Sequence, residues 1–241
     1  MIEDLLKNEL FLKYFPPLAG LFFLCVFVSL GLWQLDRAHE KDALLAQFDN
    51  DSAYVAPANF DALREFDRIQ LFGHYLGERQ ILIDNILQDG RLGYLVITPF
   101  EPSTNEPLLL VNRGWVAKVD EPGAMPELSV DTDFKTIRGL VGHLPRVAIR
   151  PGEAFAEHGN WPRVAVYPTL PEIAAELGEE VLPVVLLLSP EAEDGFVRSW
   201  KPNITGPMTH YGYAFQWFAM AVAAAMLIAW HLHKRRSGER T

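Results

Sequence analysis

Two stretches of the chain are apolar without interruption, and the rest alternates. Residues 14–35 (YFPPLAGLFFLCVFVSLGLWQL) carry no charge, and neither do residues 211–232 (YGYAFQWFAMAVAAAMLIAWHL). At ~1.5 Å per residue, 22 helical residues reach about 33 Å, enough to cross a hydrocarbon core of about 30 Å. Both therefore predict transmembrane helices. A cleavable signal peptide is the rival for the first, but its apolar run is too long and LDRAHEK follows it in place of a small-x-small site. Tyr211, Tyr213 and Trp217 at one end of the second stretch and Trp230 at the other resemble aromatic belts. Ala219, Ala221, Ala223 and Ala225 offer small-xxx-small pairs for close packing against the first helix, antiparallel to it. In that arrangement Trp33 and Gln34 face Gln216 and Trp217.

Between the spans the pattern changes to the two-residue period of strands. Residues 68–75, 80–86, 92–100, 108–117, 136–144, 163–167 and 181–189 are short runs rich in β-branched and aromatic residues, separated by turn signals such as Gln88-Asp89-Gly90. Residues 36–48 have helical spacing and prolong the first span, and 171–177 predicts one short helix with Pro at its start and Gly178 after it. The expected organisation is a segment 1–13, a span 14–35, a mainly antiparallel β domain with one or two short helices over 36–210, a span 211–232 and a basic tail 233–241. Lys7 and Lys13 before the first span, with Lys234, Arg235, Arg236 and Arg240 after the second, predict an inner (cytoplasmic) membrane protein with both termini cytoplasmic and the β domain extracytoplasmic or periplasmic.

Charge sharpens this division. The whole chain carries a net charge of −10, but residues 36–210 hold 15 Lys and Arg against 27 Asp and Glu, and the two ends hold 6 against 4. So acidic a domain excludes a nucleic-acid partner, whose phosphates demand a basic surface. Cys25 is the only cysteine and lies within the first span, so neither a disulfide nor a CxxC metal site is available. GxSxG, HExxH, P-loop and dinucleotide fingerprints are all absent. The histidines are scattered, and His231 and His233 read as an interfacial anchor. His210 begins the second span with Tyr213, Ala214 and Trp217 on its helical face. That spacing admits a boundary histidine beside aromatic anchors, which periodicity alone favours, and also an axial ligand for haem iron. Arg113, beside Gly114 and an exposed-face Trp115 at a strand end, could hold a carboxylate and is expected to matter more for function than for folding.

Three separated motifs resemble the surfeit locus protein one family, the membrane assembly factors of haem–copper terminal oxidases. They are Gly31-Leu32-Trp33-Gln34-Leu35-Asp36-Arg37 with Lys41; Gly93-Tyr94 through Thr98-Pro99-Phe100 followed by Val111-Asn112-Arg113-Gly114-Trp115-Val116; and His210 followed by Tyr213-Ala214 and Gln216-Trp217-Phe218. The resemblance implies a non-enzymatic factor that binds haem A and aids its insertion into the catalytic subunit of cytochrome c oxidase. It implies His210 as iron ligand, with Trp33, Gln34, Arg37, Arg113, Tyr213, Gln216 and Trp217 around the cofactor and Arg37 or Arg113 pairing with its propionates. Expected partners are the oxidase catalytic subunit, a haem A synthesis enzyme and membrane lipid. The competing reading is a scaffold that clamps the oxidase subunit and binds no cofactor. A third reading, a membrane-tethered hydrolase, has no motif behind it.

Overall fold

A computed structural model describes residues 9–49, 52–104, 106–119, 121, 123–150, 152–156, 159–200 and 206–238. Residues 1–8 with Lys7, residues 239–241 with Arg240, and His158 lie outside it. The chain divides into two compact units, Met1–Ala46 with Asn203–Thr241, and Gln47–Pro202.

The first unit is a pair of long helices. Helix α1 runs Glu9–Phe48, so the helical spacing beyond residue 35 does continue the first apolar stretch without a break. The second helix runs Pro207–Gly238 and is numbered α3 below. It opens on Pro207, whose missing N–H is no loss in a first turn. Both are long and apolar enough to cross a membrane. They pack antiparallel, because Gln34 meets His210, Gly31 meets Phe218 and Gly20 meets Ile228. The close approach depends on glycine: a Cβ on Gly31 would stand 2.7 Å from the Phe218 ring, and one on Gly20 2.8 Å from Ile228. Of the four alanines expected to provide it only Ala221 is buried, joined by Ala214, while Ala219, Ala223 and Ala225 are exposed. The small side of the seam lies mainly on α1.

The second unit is a β-barrel. Its strands are β1 (Arg68–Tyr75), β2 (Ile81–Gln88), β3 (Arg91–Pro102), β4 (Leu108–Ala117), β5 (Lys135–Gly142), β6 (Arg163–Ala165) and β7 (Val181–Leu188), with helix α2 (Leu170–Leu177) between the last two. The sheet order is β1-β5-β7-β4-β3-β2-β6, and pairing of β1 with the far end of β3 closes the first five strands into a ring. Five of the pairings are antiparallel, as expected; β4–β7 and β2–β6 are parallel. The parallel pair β4–β7 joins two apolar runs, residues 108–111 of β4 and most of β7. Leu109 and Val111 enter one core with Tyr75, Phe100 and Leu186, while Leu108 and Leu110 enter a second under Ile173 and Leu177 of α2. A strand buried on both faces has no polar side to alternate with.

Helix α2 is held at both ends. Thr169 and Glu172 form a reciprocal capping box, and Gly178 closes the helix at φ 69°. The Glu172 carboxylate also accepts from Arg150 Nη1 at 3.0 Å and from Arg150 Nη2. Chiefly through Arg150, and then through the Thr169 N–H, its pKa falls from the usual 4.5 to about 2. A carboxyl depressed on folding stabilises above its unfolded pKa, and that contribution disappears as pH falls toward the folded value. Glu172→Ala is therefore expected to cost about 1 kcal/mol at pH 7. The gap to wild type should close between pH 4.5 and 2 in urea titrations followed by circular dichroism; a gap that is unchanged at low pH would assign the loss to packing.

Candidate functional site

The motif residues separate into two sets with different physical roles. In the β unit they build the fold. Gly93 leaves the space through which Trp115 passes, since a Cβ there would meet the indole Nε1 at 2.4 Å. Thr98 donates to Gln80 Oε1 at 2.9 Å, and Phe100 is fully buried edge-on to Tyr75. Asn112 Oδ1 accepts the Gly114 N–H at 3.0 Å, which fixes a bend where Gly114 adopts φ 111°. This bend brings β4 against the segment at Val197: Trp115 N donates to Val197 O at 2.8 Å, and Val197 N to Trp115 O at 3.0 Å. Trp115 is buried and donates its indole N–H to Ile86 O, so the exposed-face tryptophan expected from the sequence is corrected.

Arg113 is buried with it. Its side chain is 2% exposed, and four of its five N–H donors are taken inside the domain: by Asp194 O at 2.6 Å, Gln80 Oε1 at 3.0 Å, Leu128 O at 3.1 Å and Ser129 O at 3.1 Å. The guanidinium also lies over the Phe196 ring, 4.9 Å from its centroid. Burial pulls its pKa below the usual guanidinium value, opposed by nearby Tyr75 and Asp194. The cleft above it holds Glu127, Asp131, Glu193 and Asp194, a field that repels a propionate. Its place is that of a buried clamp between β4 and the loops at 128–129 and 194–196.

The helix pair carries the remaining residues. Gln34, 9% exposed, offers Oε1 to His210 Nδ1 at 2.8 Å. A carbonyl oxygen only accepts, so Nδ1 carries the proton in this contact, and in the neutral ring the lone pair then belongs to Nε2. Trp217 is half-buried and stacks on Phe27 with centroids 5.9 Å apart. Trp33, Tyr213 and Gln216 are exposed, so of the two glutamines that could orient the imidazole, Gln34 does so and Gln216 does not. Arg37 is exposed, pairs with Glu40 at 2.6 Å and lies 6.0 Å from the Trp33 ring. Two contacts went unseen in the sequence: Tyr211 donates to Asp42 Oδ2 at 2.7 Å, and the His39 ring stands edge-on to Tyr211 at 6.2 Å. Both exist because α1 continues more than three turns past residue 35 alongside the start of α3; the helical spacing of 36–48 was their one available signal.

Among the described residues no three His, Cys, Asp or Glu side chains converge on a metal position. A single oriented imidazole is what a haem iron needs from the protein, since the macrocycle supplies four nitrogens of its own.

A SURF1-like protein of Monosiga brevicollis is 24% identical over 230 residues, covering 88% of this chain and 85% of its own length. One of Drosophila melanogaster is 23% identical over 221 residues, covering 83% and 71%. The cytochrome oxidase assembly protein SHY1 of Saccharomyces cerevisiae is 29% identical over 108 residues, covering 41% of this chain and 28% of its own. The SURF1 family model matches residues 21–222, a stretch that takes in part of each helix of the pair and the whole barrel, and the chain belongs to the SURF1 family.

Proposed function

We propose that this protein is an assembly factor for a haem–copper terminal oxidase of the cytochrome c oxidase type, and that it carries haem A as cargo for the catalytic subunit. The observation that carries this reading is the Gln34–His210 pair: an imidazole held through Nδ1 by a glutamine oxygen, at the head of an apolar helix pair. His210 would bind the iron through Nε2, and Trp33, Tyr213, Gln216 and Trp217 would border the ring. Arg37 is the cation for a propionate; Arg113 is withdrawn from that role. The bound iron is cargo, and no reaction step by this chain is needed. Both termini lie on the cytoplasmic side and the β unit outside it, on the distribution of basic residues, so the oxidase subunit, and with it a haem A synthesis enzyme, would be met at or beyond the outer membrane face.

Pigment analysis tests the reading. The full chain, expressed with its own haem-modifying enzymes and purified in native lipid, is expected to hold close to one haem A per protein by pyridine haemochrome. Colourless protein that still co-purifies with the oxidase subunit would establish the cofactor-free scaffold instead.

A further inference from the structure

On α3, His210, Ala214, Trp217, Ala221, Ala224 and Ile228 recur at steps of four and three residues, so they form one stripe of a single helical face. Its head is the Gln34–His210 pair, where the helices are tightly packed: Ala214 and Ala221 are 2% and 5% exposed, and Gly31 admits the Phe218 ring. Toward the other end the packing opens into a groove of about 640 Å³, walled by Gly20, Phe23, Phe27, Met220, Ala223 and Leu227 and ending at Pro16 and His231. The groove thus starts beside Phe27, whose ring stacks on Trp217, and continues the stripe that begins at His210.

We infer that this groove takes the long isoprenoid tail of the tetrapyrrole whose iron His210 binds, and that it makes the protein selective for tailed haems over tailless ones. The inference rests on the proposed haem reading. The tail's reach takes in the near part of the groove: Met220 and Ala224 lie ~15 and ~21 Å along the helix from His210. A ring half-width plus an extended farnesyl chain reaches roughly 20 Å from the iron, taking about 1.25 Å of advance per carbon–carbon bond. Lipid acyl chains are as apolar as the tail, so hydrophobicity gives neither an advantage. The tail competes differently. Once the iron is bound at His210 its tail is tethered beside the groove, and the effective concentration of a tethered group is what a free acyl chain lacks. Pro16 and Pro17 stiffen the wall they form, since each fixes its own φ.

Haem O and haem B isolate the tail, because haem O carries it without the formyl group of haem A. The full chain in phosphatidylcholine nanodiscs, titrated by absorbance with each, is expected to bind haem O about tenfold more tightly. Ala223→Leu, which narrows the groove within reach of the tail, should bring haem O down to the affinity of haem B and leave haem B unchanged. Val222→Leu, on an exposed position outside the groove, should alter neither. Equal affinity of the wild type for both haems, or a preference for haem O that survives Ala223→Leu, would overturn the groove while leaving the haem reading intact. Binding of neither haem would remove both.

Discussion

Replacing Arg113 with alanine is expected to lower the melting temperature of the β unit by roughly 9 °C, the shift that about 3 kcal/mol produces in a domain of this size. The magnitude follows from what the guanidinium satisfies. Without it the carbonyls of Asp194 and Ser129 lose their side-chain donor, and the buried Leu128 O and Gln80 Oε1 each lose one of two donors, keeping Gln80 Nε2 and Thr98 Oγ1. Each hydrogen bond so lost costs on the order of 1 kcal/mol. The ring of Phe196 also loses the cation over its face. Arg113→Lys keeps the charge but not the fork, so it reaches fewer of the four acceptors and should fall between alanine and wild type. Arg146→Ala, at an exposed position, should stay within about 0.5 kcal/mol of wild type. Circular dichroism melts of the full chain decide the matter. An alanine variant that melts like wild type but has lost its haem would restore Arg113 as a cofactor residue.

Why the sequence misplaced Arg113 is a physical question. The pattern Val-Asn-Arg-Gly-Trp shows a bend and a cation, and both are present. It cannot show that the acceptors come from residues 128–129 and 194, one group in a stretch with little pattern of its own and the other some eighty residues away. The same limit applies to the sheet. Strands were legible because each carries its own alternation or β-branched run, and seven were found within a few residues of their ends. Ring closure through β1 and β3, and the parallel pairings of β4 with β7 and β2 with β6, depend on contacts far apart in sequence that no local period encodes. The helix pair was more transparent. Two uncharged stretches of equal length, read as antiparallel, set Trp33 and Gln34 against Gln216 and Trp217; the structure keeps the antiparallel pair but places Gln34 on His210 at 2.8 Å and Trp217 on Phe27.

That contact makes the remaining prediction graded, with three variants ordered by mechanism. His210→Ala removes the proposed iron ligand and is expected to reduce bound haem to a small residue, while the protein still accumulates in membranes, because alanine at a span boundary does not hinder insertion. Gln34→Ala leaves the ligand but frees its ring. The Nδ1 proton then has no fixed acceptor, and losses of this kind typically weaken metal binding 10–100-fold. Haem content should therefore fall at low haem supply and recover as supply rises, a behaviour that loss of the ligand itself would not show. His231→Ala is the control. It lies on the same helix about 31 Å away, 21 residues on, too far to reach the same iron and beyond the roughly 20 Å that the tail spans, at the far end of the groove. It should keep the full haem content. Pyridine haemochrome per mole of protein on the three variants and wild type reads all of this at once. Wild-type pigment in the His210 variant would remove it as ligand. A Gln34 variant as empty as His210→Ala at every haem supply would mean that Gln34 holds the helix pair together and does not merely aim the imidazole.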